Sequence, residues 1–482
     1  MFALTKLTRV KVAVVTRRAD PLPDGRRGPS LTLLAVVVGL VLRAWHYGCN
    51  HTIWYDESVL LNNVLGKGYL RLLGPLDHAV AAPPLFLWML KTLHVLVGDV
   101  SFVWRLPPFL FSCGTLLLTV PLARLAFAPV LVPVAVGLVA VSDNHVWLGC
   151  TVKPYAGDCF LVTLLLYGYL RTADWSAARR LRALAVVSPF LLCFSYPTAF
   201  VLGGLMAALL PAAWRSARFA WLSAAGSMLA TAMLLYIGPI SNQRVTSLVT
   251  EWVRDFPNFA KPATVPAWLV EHTATTFQYA FLPAGLVLFA LAPVGVAFAW
   301  RTGRRDLAVA VTVPFALAVV GAAAHSYPYG FNRLMHFIAP CALMLGGLGL
   351  SAVVRRYPRD GVRVAWLLVL VAVVPTVIHL AKPWPRPDSA AVTEFVNKNR
   401  LPGEAVFSDE PGYLYFFHGE LKNYDELDAV NVGGRVWVVM DHYSPEERRA
   451  YVNCFVGEKH GFELTNEWLF RQASAYAFVR VK

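Results

Sequence analysis

Residues 1–385 alternate between long apolar runs and short basic connections. The runs lie at roughly 31–46, 106–127, 128–148, 155–171, 183–196, 197–213, 219–240, 279–300, 307–323, 334–354 and 364–381. Each is near the length at which a helix crosses about 30 Å of hydrocarbon. The pair 183–196 and 197–213 is short and reads equally as one long helix. Charge decides the point. Arg179, Arg180 and Arg182 precede the pair, and Arg215 and Arg218 follow it. Basic clusters mark cytoplasmic loops, so the chain crosses twice and turns near Ser195-Tyr196-Pro197. The segment PPLFLWMLKTLHVLVG (83–98) is apolar but short, and it carries Lys91 and His94. Counting it as a span would put the basic RTADWSAARRLR (171–182) outside, so it reads as an interfacial helix of the first outer loop. The pattern predicts a polytopic α-helical membrane protein of about 11 transmembrane helices.

The pattern changes near residue 385. SAAVTEFVNKNR and SPEERRAYVNCFV read as helices, and EAVFSD, RVWVVMD and AYAFVRVK as strands. The chain therefore divides into a transmembrane domain (1–385) and a small α/β domain (386–482). The first outer loop is 47–105, and a long outer loop spans 241–278.

Composition agrees with the pattern. The chain has 482 residues, 57% hydrophobic and 15% charged, with mean hydropathy +0.53, against about 25% charged in soluble proteins. The net charge of +14 resides in short loops between apolar runs. That distribution is a topology signal and gives no nucleic-acid surface. Lys6, Arg9, Lys11, Arg17, Arg18, Arg26 and Arg27 precede the first run without a cleavage site, which predicts an uncleaved span and a cytoplasmic N-terminus. With 11 spans the tail is extracytoplasmic. The seven cysteines show neither zinc spacing nor a disulfide framework; Cys113, Cys159, Cys193 and Cys341 read as small core residues.

Acidic residues locate the candidate chemistry. Of the 14 in residues 1–385, nine map to the outer face: Asp56, Glu57, Asp77, Asp99, Asp143, Asp158, Glu251, Asp255 and Glu271. Three segments there carry chemistry-bearing groups. IWYDESVLLNN holds Asp56 and Glu57, alternatively plain first-turn acids of an interfacial helix. VSDNHVWLGCTVKPYAGD holds Lys153, Tyr155 and Asp158. Lys153 alone reads as a snorkelling side chain, but Asp158 lies about one turn inside an apolar run, where an acid is a functional candidate. HSYPYGFNRLMHFIAP holds Tyr329, Arg333 and His336, alternatively interfacial anchors.

Together these segments resemble the membrane glycosyltransferases of the C type. The nearest branch is the superfamily of protein O-mannosyltransferases and lipid A aminoarabinose transferases. WYDES, PPLFLWML and RLPPFLFS are similar to that family's first loop. TVKPYAGD resembles its E-x-K-P-Y-x-x-D segment, and YPYGFNRLMHFIAP its Y-P-F-G-x-R segment. The tail's LPGEAVFSDEPGYLYFFHG is similar to the extracytoplasmic domain of some bacterial members. The resemblance implies a bacterial cytoplasmic-membrane enzyme that moves a sugar from a polyprenyl-phosphate donor to a glycolipid, polysaccharide or protein acceptor outside the cytoplasm. It implies Asp56 and Glu57 as catalytic residues, and Lys153, Tyr155, Arg333 and His336 at the donor phosphate. Asp158 and Tyr329 are supporting residues. A divalent metal is a candidate cofactor, with Asp56, Glu57 and Asp158 as its candidate ligands. One departure stands out: Cys150-Thr151 occupies the place of the acid that often precedes Lys-Pro-Tyr. No acid or cation of the tail matches a family motif.

The residue types suit this chemistry independently. A departing polyprenyl phosphate is anionic and needs cations where charge develops, and arginine offers a fork matched to phosphate oxygens. A single carboxylate suffices as general base for direct inversion. No glycine-rich nucleotide loop is present. A transporter or lipid flippase is the main competing reading, although its charges would gather near mid-membrane on repeated elements. A membrane-anchored envelope-binding protein is a third.

Overall fold

The computed structural model describes residues 28–244, 250–384 and 386–482. The basic N-terminal segment from Lys6 to Arg27, which predicts the cytoplasmic N-terminus, lies outside the described residues. So do positions 245–249. Among the described residues, seven helices are long and apolar enough to cross a membrane: Pro29–Gly48, Ser101–Ala126, Thr198–Ser216, Arg218–Gln243, Arg305–Ala323, Arg333–Arg356 and Pro358–Ala381. Two bent pairs raise the number to nine if each is one span. Pro129–Val141 with Asp143–Cys150 turns through 59°, and Pro262–Ala280 with Gly285–Arg301 through 116°.

The remaining two of the expected eleven are helical but fall short of that standard for identifiable reasons. Tyr155–Arg171 has 17 residues and carries Asp158 in its first turn. Ala177–Phe194 carries Arg179, Arg180 and Arg182 at its start. The chain does break at residues 195–197, between Phe194 and Thr198, where the turn was expected. PPLFLWMLKTLHVLVG contains a helix, Pro84–Val97, of 14 residues. That is too short to span as a straight helix.

Three helices position the candidate site: α1 (Tyr55–Gly66), α2 (Asp143–Trp147) and α3 (Tyr155–Arg171). Arg333–Ile338 adds a turn of 3₁₀ helix before the long helix Ala339–Arg356.

The tail folds around a mixed five-stranded sheet of order β2-β1-β3-β5-β4, with β1 Ala405–Phe407, β2 Leu421–Lys422, β3 Arg435–Asp441, β4 Phe462–Phe470 and β5 Ala473–Arg480. β1 pairs parallel with β2 and β3, and β5 pairs antiparallel with β3 and β4. RVWVVMD is the central strand because both of its faces are covered by apolar clusters, which accounts for its unbroken apolar run. The expected helices form at Ser389–Asn399 and Pro445–Val452. The second is capped by Ser444, which accepts from the Glu447 N–H. β4 was not anticipated. It is an edge strand whose Glu463, Asn466 and Glu467 interrupt the apolar pattern, a common way of protecting an edge.

The tail rests on the segment 47–105 that follows the first span. Asn62 Nδ2 donates to Pro411 O at 3.3 Å, and Tyr415 Oη to Asp99 Oδ1 at 2.9 Å. The rings of Tyr55 and His442 meet edge to face with centroids 5.2 Å apart.

Candidate active site at the junction of three segments

α1 begins immediately after Trp54, placing Asp56 and Glu57 in its first turn. The unpaired N–H groups there favour negative charge. The two side chains then diverge. Glu57 is fully buried. Its Oε2 accepts from the Trp54 N–H at 3.2 Å, and its Oε1 accepts from the Val152 N–H at 2.7 Å. Arg386 Nη1 lies 3.3 Å from Oε2, and Arg105 Nη2 3.6 Å. Glu57 therefore ties the loop just before Lys153 to the segment that carries Trp54. Both of its oxygens have partners, and the side chain has no solvent-exposed face. The carboxylate beside the Lys-Pro-Tyr segment is thus supplied by the first loop, in a region where the segment itself has Cys150-Thr151.

Asp56 points the other way, its side chain 20% exposed and ion-paired to Arg333, itself 27% exposed. Arg333 Nε donates to Tyr155 Oη at 3.1 Å. The guanidinium also lies over the rings of Trp54 and Trp252, at 5.2 and 5.7 Å, contacts that orient it at the edge of the site.

The turn carrying Arg333 is held from below. Asn332 Oδ1 accepts from the Met335 N–H, and Asn332 Nδ2 donates to Asp255 Oδ2 at 3.0 Å. Burial pushes the Asp255 carboxyl up, while Asn332 counters that shift. Gly330 has φ +144°, and a Cβ there would lie 2.7 Å from His272 Cδ2, so this approach requires glycine.

Lys153 directly precedes Pro154, which disfavours helical geometry at the lysine and opens α3. The side chain is buried and makes no hydrogen bond or ion pair among the described residues. Burial lowers its pKa, opposed by the Asp56 carboxylate, while Arg333 adds to the lowering. Asp158 is buried one turn deeper, its Oδ1 without a hydrogen-bond partner.

The structure thus brings Asp56, Lys153, Tyr155 and Arg333 together and places the other candidates elsewhere. Tyr329 is fully buried and donates to Thr273 Oγ1 at 2.9 Å. His336 is buried against His145, with ring centroids 4.5 Å apart. Asp56, Glu57 and Asp158 are not gathered as a three-ligand group among the described residues, because Asp56 and Glu57 diverge toward different arginines.

Two residues escaped the sequence reading. Arg105, buried, donates to Cys150 O at 3.1 Å and to Asn50 Oδ1 at 2.7 Å. Its position at the head of an apolar helix was the available signal. Arg386 comes from the tail, donates to Thr52 O at 2.9 Å and lies 4.4 Å over Trp147. Burial lowers its pKa and Glu57 opposes this. Nothing in PWPRPD signals that role. Arg105, Lys153, Arg333 and Arg386 stand against the Asp56 and Glu57 carboxylates, with Glu251 also acting on Lys153, so cations are concentrated where an anionic group could be met.

No protein-family model matches this chain, and no curated protein matches it in sequence. Solved structures do. ArnT from Cupriavidus metallidurans bound to undecaprenyl phosphate superposes with TM-score 0.57 at 14% identity, covering 94% of this chain and 98% of that one. Its apo state gives TM-score 0.53 at 13% identity, covering 93% and 98%. The Archaeoglobus fulgidus oligosaccharyltransferase complex with zinc and sulfate gives 0.49 at 14% identity, over 85% of this chain and 68% of that one. The chain shares, over nearly its whole length, the fold of ArnT, a C-type membrane glycosyltransferase.

Proposed function

We propose that this protein transfers a sugar, with inversion, from a polyprenyl-phosphate donor to a hydroxyl acceptor on the extracytoplasmic side of the membrane. The carrying observation is the convergence of Asp56, Arg333, Tyr155 and buried Lys153 from three distant segments. The likeness to a fold that binds undecaprenyl phosphate in ArnT supports the choice of donor.

Lys153 and Arg333 hold the donor phosphate, and Tyr155 aims the guanidinium. Arg333 shifts from Asp56 toward the phosphate when donor binds, which frees the carboxylate. Asp56 then takes the acceptor's O–H proton as that oxygen attacks the anomeric carbon from the face opposite the phosphate. The sugar–phosphate C–O bond breaks, and its electron pair leaves with polyprenyl phosphate, an anion met by the two cations. Glu57 acts as a positioning residue by holding the loop that carries Lys153. Topologically, this reading takes all eleven apolar runs as crossings, so that the three segments and the tail share the outer face.

The test separates base from clamp. Asp56→Asn removes the proton acceptor, so single-turnover transfer falls about 10²–10⁴-fold while donor affinity by titration calorimetry changes little. Arg333→Ala and Lys153→Ala weaken donor binding as well as turnover, and Arg333→Lys recovers only part because the planar fork is gone. Loss of donor binding in Asp56→Asn, with binding and rate intact in Arg333→Ala, would void these assignments.

A further inference from the structure

His145, Cys159 and His336 arrive from three segments and meet in the bundle core. Their ligand-type atoms all lie within 4.8 Å of one another, and the residues are 3%, 1% and 2% exposed. His145 Nε2 and His336 Nδ1 are buried without hydrogen-bond partners, a condition that is costly for an imidazole nitrogen. The proposed transfer chemistry uses none of these atoms. Two imidazoles, each with an unsatisfied nitrogen, grouped with a thiol constitute a donor set for a soft metal ion.

We infer that His145, Cys159 and His336 bind one transition-metal ion, with copper(I) preferred over zinc(II). Binding replaces the Cys159 S–H bond with a sulfur–metal bond and releases one proton to solvent. Copper(I), one thiolate and two neutral imidazoles carry no net charge, whereas the zinc(II) equivalent carries one positive charge. That difference matters because the buried guanidinium of Arg43 acts electrostatically on all three residues. Arg43 is itself fixed on Ser112 Oγ and on the carbonyls of Gly39, Val139 and Ala140, so it cannot withdraw without breaking those bonds. Asp158, beside Cys159, is the acid that acts on the thiol, and no carboxylate belongs to the ligand group. In a low-dielectric core the neutral complex is favoured. Metal–ligand distances of about 2.0–2.3 Å require side-chain adjustments on the order of 1 Å.

The location gives such a site a role. His145 lies on α2, Cys159 lies on α3 one residue after Asp158, and His336 lies three residues after Arg333. A metal here ties together the two segments that carry Lys153 and Arg333.

The experiment uses the full chain with the exposed Cys49 and Cys454 replaced by serine, loaded anaerobically with copper(I) against a chromogenic copper(I) chelator. Metal content is then measured by mass spectrometry and the ligand shell by X-ray absorption. The expected result is one copper per chain with nitrogen and sulfur neighbours, and at least tenfold weaker retention in Cys159→Ser and His145→Asn. A second measurement requires no further variant: under a mildly denaturing detergent that lets reagent reach the core, bound copper should slow alkylation of Cys159 relative to the metal-free protein, read by peptide mass spectrometry. Failure to retain copper, equal retention in Cys159→Ser, or unprotected Cys159 would overturn the site. Displacement of copper by equimolar zinc would overturn the metal preference.

Discussion

The buried pair Glu57–Arg386 joins the tail to the membrane domain, and its energetics follow from its contacts. Arg386 contributes a charge-assisted bond to Glu57 at 3.3 Å, a bond to the Thr52 carbonyl at 2.9 Å and packing over Trp147. Arg386→Met keeps much of the packing but leaves the fully buried Glu57 facing only Arg105 at 3.6 Å. Breaking a buried pair costs about 3–5 kcal/mol; the remaining arginine places this variant near about 3 kcal/mol on the same scale. Glu57→Gln keeps an acceptor for the Val152 N–H but strands two buried guanidinium groups, for about 3–5 kcal/mol. The double variant removes both sides of the pair and should recover about 1.5–3 kcal/mol relative to the sum. The assay is equilibrium unfolding in mixed micelles across a graded denaturing detergent, applied to all four proteins. Both single changes should also slow transfer, because they loosen the loop before Lys153. Single-variant losses that add to within about 0.5 kcal/mol would refute the pairing.

Other expectations follow from the same geometry. Burial, followed by the neighbouring Asp441 charge, pushes the Glu410 carboxyl up to about 7, and the bond to Asp441 raises His442. A raised carboxyl loses stability as pH climbs from its unfolded value to about 7, and a raised imidazole loses its contribution through its folded pKa. Both slopes agree, so proteolytic opening of the tail should increase from pH 5 to pH 8 and flatten in Glu410→Gln; an opposite trend would contradict the assignment. For topology, native Cys454, which is exposed, should react with an impermeant maleimide in intact cells after Cys49→Ser. Thr302→Cys should react only after permeabilisation, and outside labelling at 302 would break the eleven-span reading. In the phosphate cradle, Tyr155→Phe should weaken donor binding less than Arg333→Ala, because it removes one bond that aims the guanidinium but leaves the charge itself in place; an equal loss would move Tyr155 from support to direct contact.

Much of this was legible because hydrocarbon imposes length and expels charge. The apolar runs had to be long, and Asp158 stood out where charge is expensive, whereas Asp56, Lys153 and Arg333 were singled out by the segments that resemble a family. Individual roles were less visible. Asp56 and Glu57 are adjacent carboxylates in one helical turn, and only the fold shows that one meets Arg333 while the other is sealed between Arg105 and Arg386. Glu57 and Arg386 are 329 positions apart, and no local pattern reports such a pairing. The resemblance grouped His336 with Arg333 at the donor phosphate, but the 3₁₀ turn seats it against His145. In the tail, fully covered β3 was readable as an apolar run. Edge strand β4 was hidden by the charges that protect it.

The most direct measurement follows a panel of radiolabelled polyprenyl-phosphate pentoses and hexoses with purified protein in sealed vesicles. The account predicts release of sugar from at least one donor, to an acceptor or to water, by wild type and its near abolition in Asp56→Asn. It predicts an inverted anomeric configuration in any transferred product. Intact donor moving across the vesicle without cleavage, at equal rates in both proteins, would contradict it and establish a transporter.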